Sequence, residues 1–78
     1  MENIANRVRK IIAENIGVDS DIIADDRTLE SLGADSTDLI FLELVLEEEF
    51  ECEISNDEGA KWVTVGDVVT CIVDIFQQ

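Results

Sequence analysis

The 78-residue sequence contains no histidine and no proline, and it has only five basic residues. Histidine is the commonest general base in enzymes, and a serine nucleophile needs an adjacent base. Only Lys10 and Lys61 could act as a lysine base, and neither lies in a recognisable catalytic motif. We therefore expect no catalysis by this chain alone. The missing proline argues against a rigid linker or a proline-rich docking segment.

Long hydrophobic runs are also missing. No apolar stretch approaches the roughly 20 residues of a membrane span. The first residues, 1–4, are not basic and lead into no signal-peptide core. We therefore expect a cytoplasmic protein without a membrane span. The length predicts one domain over residues 1–78, and an apolar fraction of 46% suffices for one compact core.

Metal-binding patterns are absent from the sequence as well. Cys52 and Cys71 fit no metal motif, and a cytosolic cysteine pair is usually reduced. We interpret both as small, partly buried apolar residues, with a disulfide or a reactive thiol as the alternative. Residues 19–21 begin like an EF-hand loop, but Ile23 and Ala24 stand where that loop needs a ligand and a glycine. We therefore expect no dedicated metal site.

Acidic residues dominate the composition. Nineteen acids and five bases give a formal net charge of −14, and eleven of the acids lie between Arg27 and Lys61, a stretch without any basic residue. Such a surface repels phosphates, so nucleic acid and anionic membranes are not expected partners. The uneven distribution favours protein partners with basic patches, which long-range attraction would steer to this surface. Solubility alone is the alternative explanation for the charge.

Apolar residues recur at helical spacing in three segments, which predicts helices at Glu2–Ile16, Ser36–Glu51 and Val65–Phe76. A short helix is predicted at Asp57–Trp62, because a serine and a glutamate stand before it with capping-box spacing. The fold class is therefore all-α. We predict an antiparallel four-helix bundle with three principal helices, one short helix and a long first loop.

The long first loop, Val18–Ala34, follows Gly17, which stands where a helix end favours a left-handed residue. Loops of this length are uncommon in compact domains unless they are functional or held in place. A short helical turn is predicted around Asp19–Ala24. Four residues are predicted to anchor the loop in the core: Ile22, Ile23, Leu29 and Leu32.

The second predicted helix carries more apolar residues than one buried face needs. Its core stripe consists of Leu39, Leu42, Leu46 and Phe50. The apolar residues left on its other faces are Ile40, Phe41, Leu44 and Val45. Such a helix is either central in the bundle or offers apolar surface to another molecule.

A serine at the start of this helix is the candidate functional residue. Ser36 ends the pentapeptide Leu-Gly-Ala-Asp-Ser, and Asp35 with Asp38 has the spacing of a capping box. A hydroxyl at this position would be open to another enzyme. A phosphodiester attached to it would meet the positive end of the helix dipole and free backbone N–H groups. Position alone leaves open that Ser36 or Asp35 simply caps the helix.

The sequence resembles the bacterial acyl carrier proteins along nearly its whole length. The similar segments, in the family's order and spacing, are Arg7–Ile12, Leu32–Ser36, Leu46–Glu51 and Thr64–Val69. The second of these resembles the family's attachment motif. The resemblance implies that a phosphopantetheinyl transferase attaches a 4'-phosphopantetheine arm from coenzyme A to Ser36. The thiol of the arm would then carry acyl groups as thioesters, so this chain would be a carrier and a substrate, not an enzyme.

The resemblance also implies where partner proteins bind. The second helix is the family's usual recognition element, so contacts with basic surfaces of the transferase and of acyl-processing enzymes carry over to Asp35, Asp38, Glu47 and Glu48. A monomer is expected. The surplus apolar residues of this helix could line a groove for an acyl chain, at about 0.8 kcal/mol for each buried methylene. Ordinary core packing is the alternative for those residues.

Several positions depart from the family pattern. Thr37 stands where the family usually has leucine or methionine, and Phe41 where fatty-acid carriers have an acid. Ser55 replaces a common proline, and Lys61-Trp62 replaces an aliphatic run. The resulting hypothesis is an acyl carrier in fatty acid biosynthesis or in a specialised lipid or polyketide-type pathway. The alternatives are a carrier of aminoacyl or short carboxylate groups and an unmodified acidic interaction module.

Overall fold

The computed structural model describes residues 3–77, and every regular element in that range is helical. The α-helices are α1 Ile4–Ile16, α2 Ser36–Phe50, α3 Asn56–Ala60 and α4 Val65–Gln77, and 3-10 turns occupy Ser20–Ile22 and Glu30–Leu32. The predicted all-α bundle is confirmed, and the predicted helix ends agree with these bounds within two residues. The predicted first residue of the first helix, Glu2, lies outside the described residues.

Local hydrogen bonds set the ends of α1. The side chain of Asn3 accepts a hydrogen bond from the Asn6 amide at 2.8 Å and caps the start of the helix. At the other end Gly17 adopts the left-handed conformation, with a φ of 87°, and its amide donates to the Ala13 carbonyl at 2.8 Å. A residue with a Cβ is strained in this conformation, which confirms the role predicted for Gly17.

The helices enclose one apolar core. α1 packs against both α4 and α2, and α3 packs against α2. Among the described residues the buried side chains are Val8, Ile12, Ala13, Ile23, Leu29, Leu32, Leu42, Leu46, Phe50, Ile54, Trp62, Val65, Val68, Val69 and Ile72. The stripe predicted for the second helix is confirmed, with Leu39 half-buried at its edge.

The long first loop is held against the start of α4 by backbone hydrogen bonds. The Leu29 amide donates to the Val63 carbonyl at 2.8 Å, and the Val65 amide donates to the Arg27 carbonyl at 2.9 Å. These bonds flank an isolated antiparallel bridge between Thr28 and Thr64. They explain how a loop of this length stays ordered, because both its backbone polar groups and its apolar anchors find partners.

The loop prediction was wrong at Ile22 and incomplete at its second turn. Ile22 is 43% exposed, whereas the neighbouring Ile23 is buried. Adjacent residues in a tight 3-10 turn point in different directions, so only one of the two reaches the core. The turn predicted around Asp19–Ala24 is confirmed as Ser20–Ile22, but the turn at Glu30–Leu32 was not predicted.

Both cysteines are half-buried and free, as expected for small, partly buried apolar residues. The Cys71 thiol donates a hydrogen bond to Glu58 Oε2 at 3.3 Å. Burial, followed by the hydrogen bond to Glu58, raises the pKa of Cys71 to about 11. The thiolate is the reactive form of cysteine, so the environment of Cys71 suppresses its nucleophilicity near neutral pH.

Candidate functional site

Ser36 is the first residue of α2, and its side chain is exposed. The helix is capped by its neighbour: the Asp38 amide donates to Asp35 Oδ1 at 2.9 Å, and the Asp35 amide donates to Asp38 Oδ2 at 3.0 Å. These two hydrogen bonds complete the predicted capping box. Asp35 is thus the N-cap, and the Ser36 hydroxyl is not needed for that role.

The start of α2 also suits an anion attached to Ser36. The first amides of a helix have no intrahelical acceptor, and the capping box takes up the Asp38 amide. The amides of Ser36 and Thr37 precede it in the same first turn, where the helix dipole favours negative charge. The residues present therefore fit a phosphodiester on the Ser36 oxygen.

The segment before Ser36 is fixed to the core. Leu29 and Leu32 are buried, and the turn between them ends at Gly33, whose φ of 99° is left-handed. The Gly33 amide donates to the Glu30 carbonyl at 3.0 Å, and the Ala34 amide donates to the Leu29 carbonyl at 3.1 Å. The serine is consequently presented at a defined position on a rigid support.

Two surface clefts meet at Ser36. The loop-side cleft, of about 520 Å³, is lined by Thr28, Leu29, Glu30, Ala34, Asp35, Ser36, Leu39, Trp62 and Val63. The α3-side cleft, of about 510 Å³, is lined by Ser36, Leu39, Ile40, Glu43, Gly59 and Ala60. A flexible group attached to Ser36 can therefore lie in either cleft. Sequence reasoning did not identify Trp62, Glu43 or Gly59 as residues of this site.

Within residues 3–77 no group of three acidic or cysteine side chains could hold a metal ion. In the same part of the chain no helix is long and apolar enough to cross a membrane.

Comparison with known proteins identifies the family. The family model "Phosphopantetheine attachment site" matches residues 6–72. The chain belongs to the acyl carrier protein family. The solved structure of Rv0033, a candidate acyl carrier protein from Mycobacterium tuberculosis, superposes with a TM-score of 0.88. The two chains are 31% identical, and the match covers 95% of this chain and 100% of that one.

Membership in the acyl carrier protein family fixes the class of function. The chain is a carrier and not a catalyst, and its cofactor is a covalently attached 4'-phosphopantetheine. This agrees with the chemistry of the sequence, in which a serine modified by another enzyme needs no base of its own. The phosphopantetheinyl transferase and acyl-processing enzymes are its partners as a class.

The acids predicted to contact partners of the carrier differ in their surroundings. Asp35 and Glu48 are exposed, whereas Asp38 and Glu47 are half-buried. Glu47 Oε2 accepts a hydrogen bond from the Ile54 amide at 2.9 Å, so it ties α2 to the segment before α3. Glu47 has a structural task that the sequence did not indicate, and Glu48 has the more accessible carboxylate.

An apolar patch on α2 accompanies these acids. It consists of Ile40, Phe41 and Leu44, which are 60%, 62% and 58% exposed. The helix therefore offers apolar surface in addition to its core stripe, and Phe41 points to solvent. Val45, the fourth surplus residue, is half-buried.

Proposed function

We propose that Ser36 carries the 4'-phosphopantetheine arm and that this acyl carrier protein transports acyl intermediates in fatty acid biosynthesis or in a specialised lipid or polyketide-type pathway. The arm supplies a terminal thiol on which acyl groups are held as thioesters. The observation that carries the proposal is the exposed Ser36 hydroxyl at the first residue of α2, next to an aspartate that already caps the helix.

The chain's own residues would prepare Ser36 as a substrate. Asp35 holds the start of α2 in place, and the amides of the first turn would stabilise the negative phosphodiester. The buried anchors Leu29 and Leu32 keep the serine outside the core. None of these residues needs to remove the serine proton, because the transferase supplies that chemistry.

We further propose that Asp35, Asp38, Glu47 and Glu48 contact basic surfaces on the transferase and on acyl-processing enzymes. Exposed carboxylates favour rapid, salt-sensitive association of modest affinity. A shuttle benefits from this because it has to leave each enzyme quickly. We also propose that the chain forms a single domain and acts as a monomer in the cytoplasm.

Mass spectrometry tests the attachment residue. The protein is incubated with coenzyme A, magnesium and a broad-specificity phosphopantetheinyl transferase. The expected product gains the mass of one phosphopantetheine group on the peptide that contains Ser36. The Ser36→Ala variant should gain nothing, while Ser20→Ala, which removes an exposed serine elsewhere, should react like the wild type. Modification that persists in Ser36→Ala, or failure with every competent transferase, would contradict the proposal.

A further inference from the structure

The α3-side cleft contains a carboxylate that the carrier role does not explain. Glu43 lies on α2 seven residues after Ser36, which corresponds to about 10 Å along the helix axis. Its side chain is half-buried and lies against Gly59 of α3. A Cβ atom at position 59 would overlap the Glu43 carboxylate, so the missing side chain of Gly59 makes room for it.

Within residues 3–77 the Glu43 carboxylate has no cationic partner. No hydrogen bond or ion pair from the described side chains reaches it, and the charge that acts on it is the like charge of Glu47. Burial and, to a smaller extent, the Glu47 charge raise the pKa of Glu43. No lysine or arginine occurs between residues 28 and 60, and Lys61 lines a different cleft.

We propose that Glu43 binds a positively charged amino group on the cargo, which narrows the pathways proposed above to a specialised one whose acyl group bears an amine. The proposal rests on attachment of the arm at Ser36. A half-buried carboxylate with acidic surroundings is stabilised by an ammonium group, and the resulting hydrogen bond is charge-assisted. The cleft supplies the cation site, and the cargo supplies the cation.

An aliphatic cargo does not fit the α3-side cleft as well. A hydrocarbon chain laid beside Glu43 would remove water from the carboxylate without offering it a donor. The remaining side chains of this cleft, those of Leu39, Ile40 and Ala60, can contact the methylene groups of an amino-bearing acyl group. The loop-side cleft has no half-buried carboxylate of this kind and includes Trp62 and Val63, so it is the place where an aliphatic cargo would bind instead.

The experiment compares two cargoes that differ at one atom. The transferase loads the protein from β-alanyl-coenzyme A or from butyryl-coenzyme A, which place an ammonium and a methyl group at the same position of the chain. Mass spectrometry first confirms that Ser36 is loaded. Thermal unfolding and the backbone amide NMR shifts of Gly59 and Ala60 in the α3-side cleft, and of Val63 in the loop-side cleft, are then recorded for both forms.

The β-alanyl form should melt about 2–4 °C above the butyryl form, as expected for a partly exposed ion pair in a domain of this size. It should also shift the Gly59 and Ala60 amides more than butyryl does. Glu43→Gln, which keeps the shape of the side chain, should abolish both differences. Glu53→Gln removes one exposed charge just after the same helix, at a residue without a proposed partner contact, and should preserve them, which controls for general attraction between the cargo and an acidic protein.

Two results would overturn the proposal. The first is an equal response to the two cargoes, or a difference that survives in Glu43→Gln. The second is that loading with butyryl shifts the amide resonance of Val63, while loading with β-alanyl leaves the amide resonance of Gly59 unchanged. Either result with Ser36 loaded refutes the cargo assignment and leaves the carrier function intact. A protein that cannot be loaded at Ser36 refutes the attachment on which both proposals depend.

Discussion

Asp67, near the start of α4, accepts hydrogen bonds from the Val63 amide at 2.9 Å and from the Thr64 amide at 3.0 Å. Its own amide donates to Thr64 Oγ1 at 3.1 Å, which completes a capping box. Backbone hydrogen bonds hold the pKa of Asp67 below its usual value, against a smaller opposing effect of burial. A carboxyl with a lowered pKa adds stability above its unfolded-state value and loses it as the pH falls through its folded-state value.

We therefore expect Asp67→Ala to lower the melting temperature at pH 7 by about 4–8 °C, since a lost cap costs about 1 kcal/mol. The difference from the wild type should shrink as the pH falls below the ordinary aspartate value of 3.8 towards the lower folded-state pKa, through which the Asp67 carboxylate becomes protonated. Thermal melts between pH 7 and pH 3 measure it. Asp74→Ala, an exposed acid on the same helix, is the control and should change little at any pH.

Glu47 and Glu48 allow binding and folding to be separated. Glu48→Lys should slow loading by the transferase several-fold at low salt without lowering the melting temperature, because Glu48 is exposed and its replacement relieves repulsion between acids. Glu47→Lys should slow loading and also lower the melting temperature, because it removes the acceptor of the Ile54 amide. Glu14→Lys makes the same charge change on α1 and should have the smallest effect on loading. Equal rates for all three variants would contradict a specific role of α2.

At the scale of elements, the features predicted from the sequence are those whose partners lie close along the chain. The capping boxes of α2 and α4 each join residues three positions apart, and the apolar stripes repeat within a few turns. Pairing of the first loop with the start of α4 joins Leu29 to Val63, and no local pattern indicates it. The same holds for Glu43 and Gly59, whose contact exists only because α2 and α3 pack together.

The contact between α2 and α3 predicts an energetic coupling. Gly59→Ala should stabilise the fold by up to about 1 kcal/mol when nothing obstructs the new methyl group, because alanine has the higher helix propensity. When Glu43 is present, the new methyl group would displace its carboxylate. We therefore expect Gly59→Ala to stabilise the protein less in the wild-type background than in a Glu43→Ala background. Urea unfolding of the four proteins in the double-mutant cycle measures the coupling, expected at about 0.5–1 kcal/mol.

A matched cycle provides the control for this coupling. Glu48 is exposed on the same helix, so Gly59→Ala should have the same effect in a Glu48→Ala background as in the wild type. The idea that Gly59 accommodates Glu43 would be wrong if the gain from Gly59→Ala were the same in the Glu43→Ala background and in the wild type.

At the scale of the whole molecule, the charge is concentrated in a small body. A net charge of −14 is held within extents of 30 × 30 × 20 Å. Two ion pairs, Arg7 with Glu49 at 3.3 Å and Arg9 with Asp25 at 2.8 Å, offset only a small part of it. The composition predicts that the carboxylates repel one another, and the attachment motif predicts Ser36 as the modified residue. The shape of the clefts beside Ser36 depends on packing between helices and could not be predicted from either.

Repulsion between carboxylates makes the stability of the folded carrier depend on ionic strength. The Debye length is about 10 Å at 0.1 M salt, which is shorter than the molecule, so added salt screens most pairs of acids. We expect the melting temperature to rise with sodium chloride and to rise at lower concentrations of magnesium chloride. A variant with Glu14, Glu48 and Glu53, all exposed, replaced by glutamine should show a shallower rise, because it has less charge to screen. A flat salt response of the wild type, or equal slopes for the two proteins, would show that the net charge does not limit the stability of this fold.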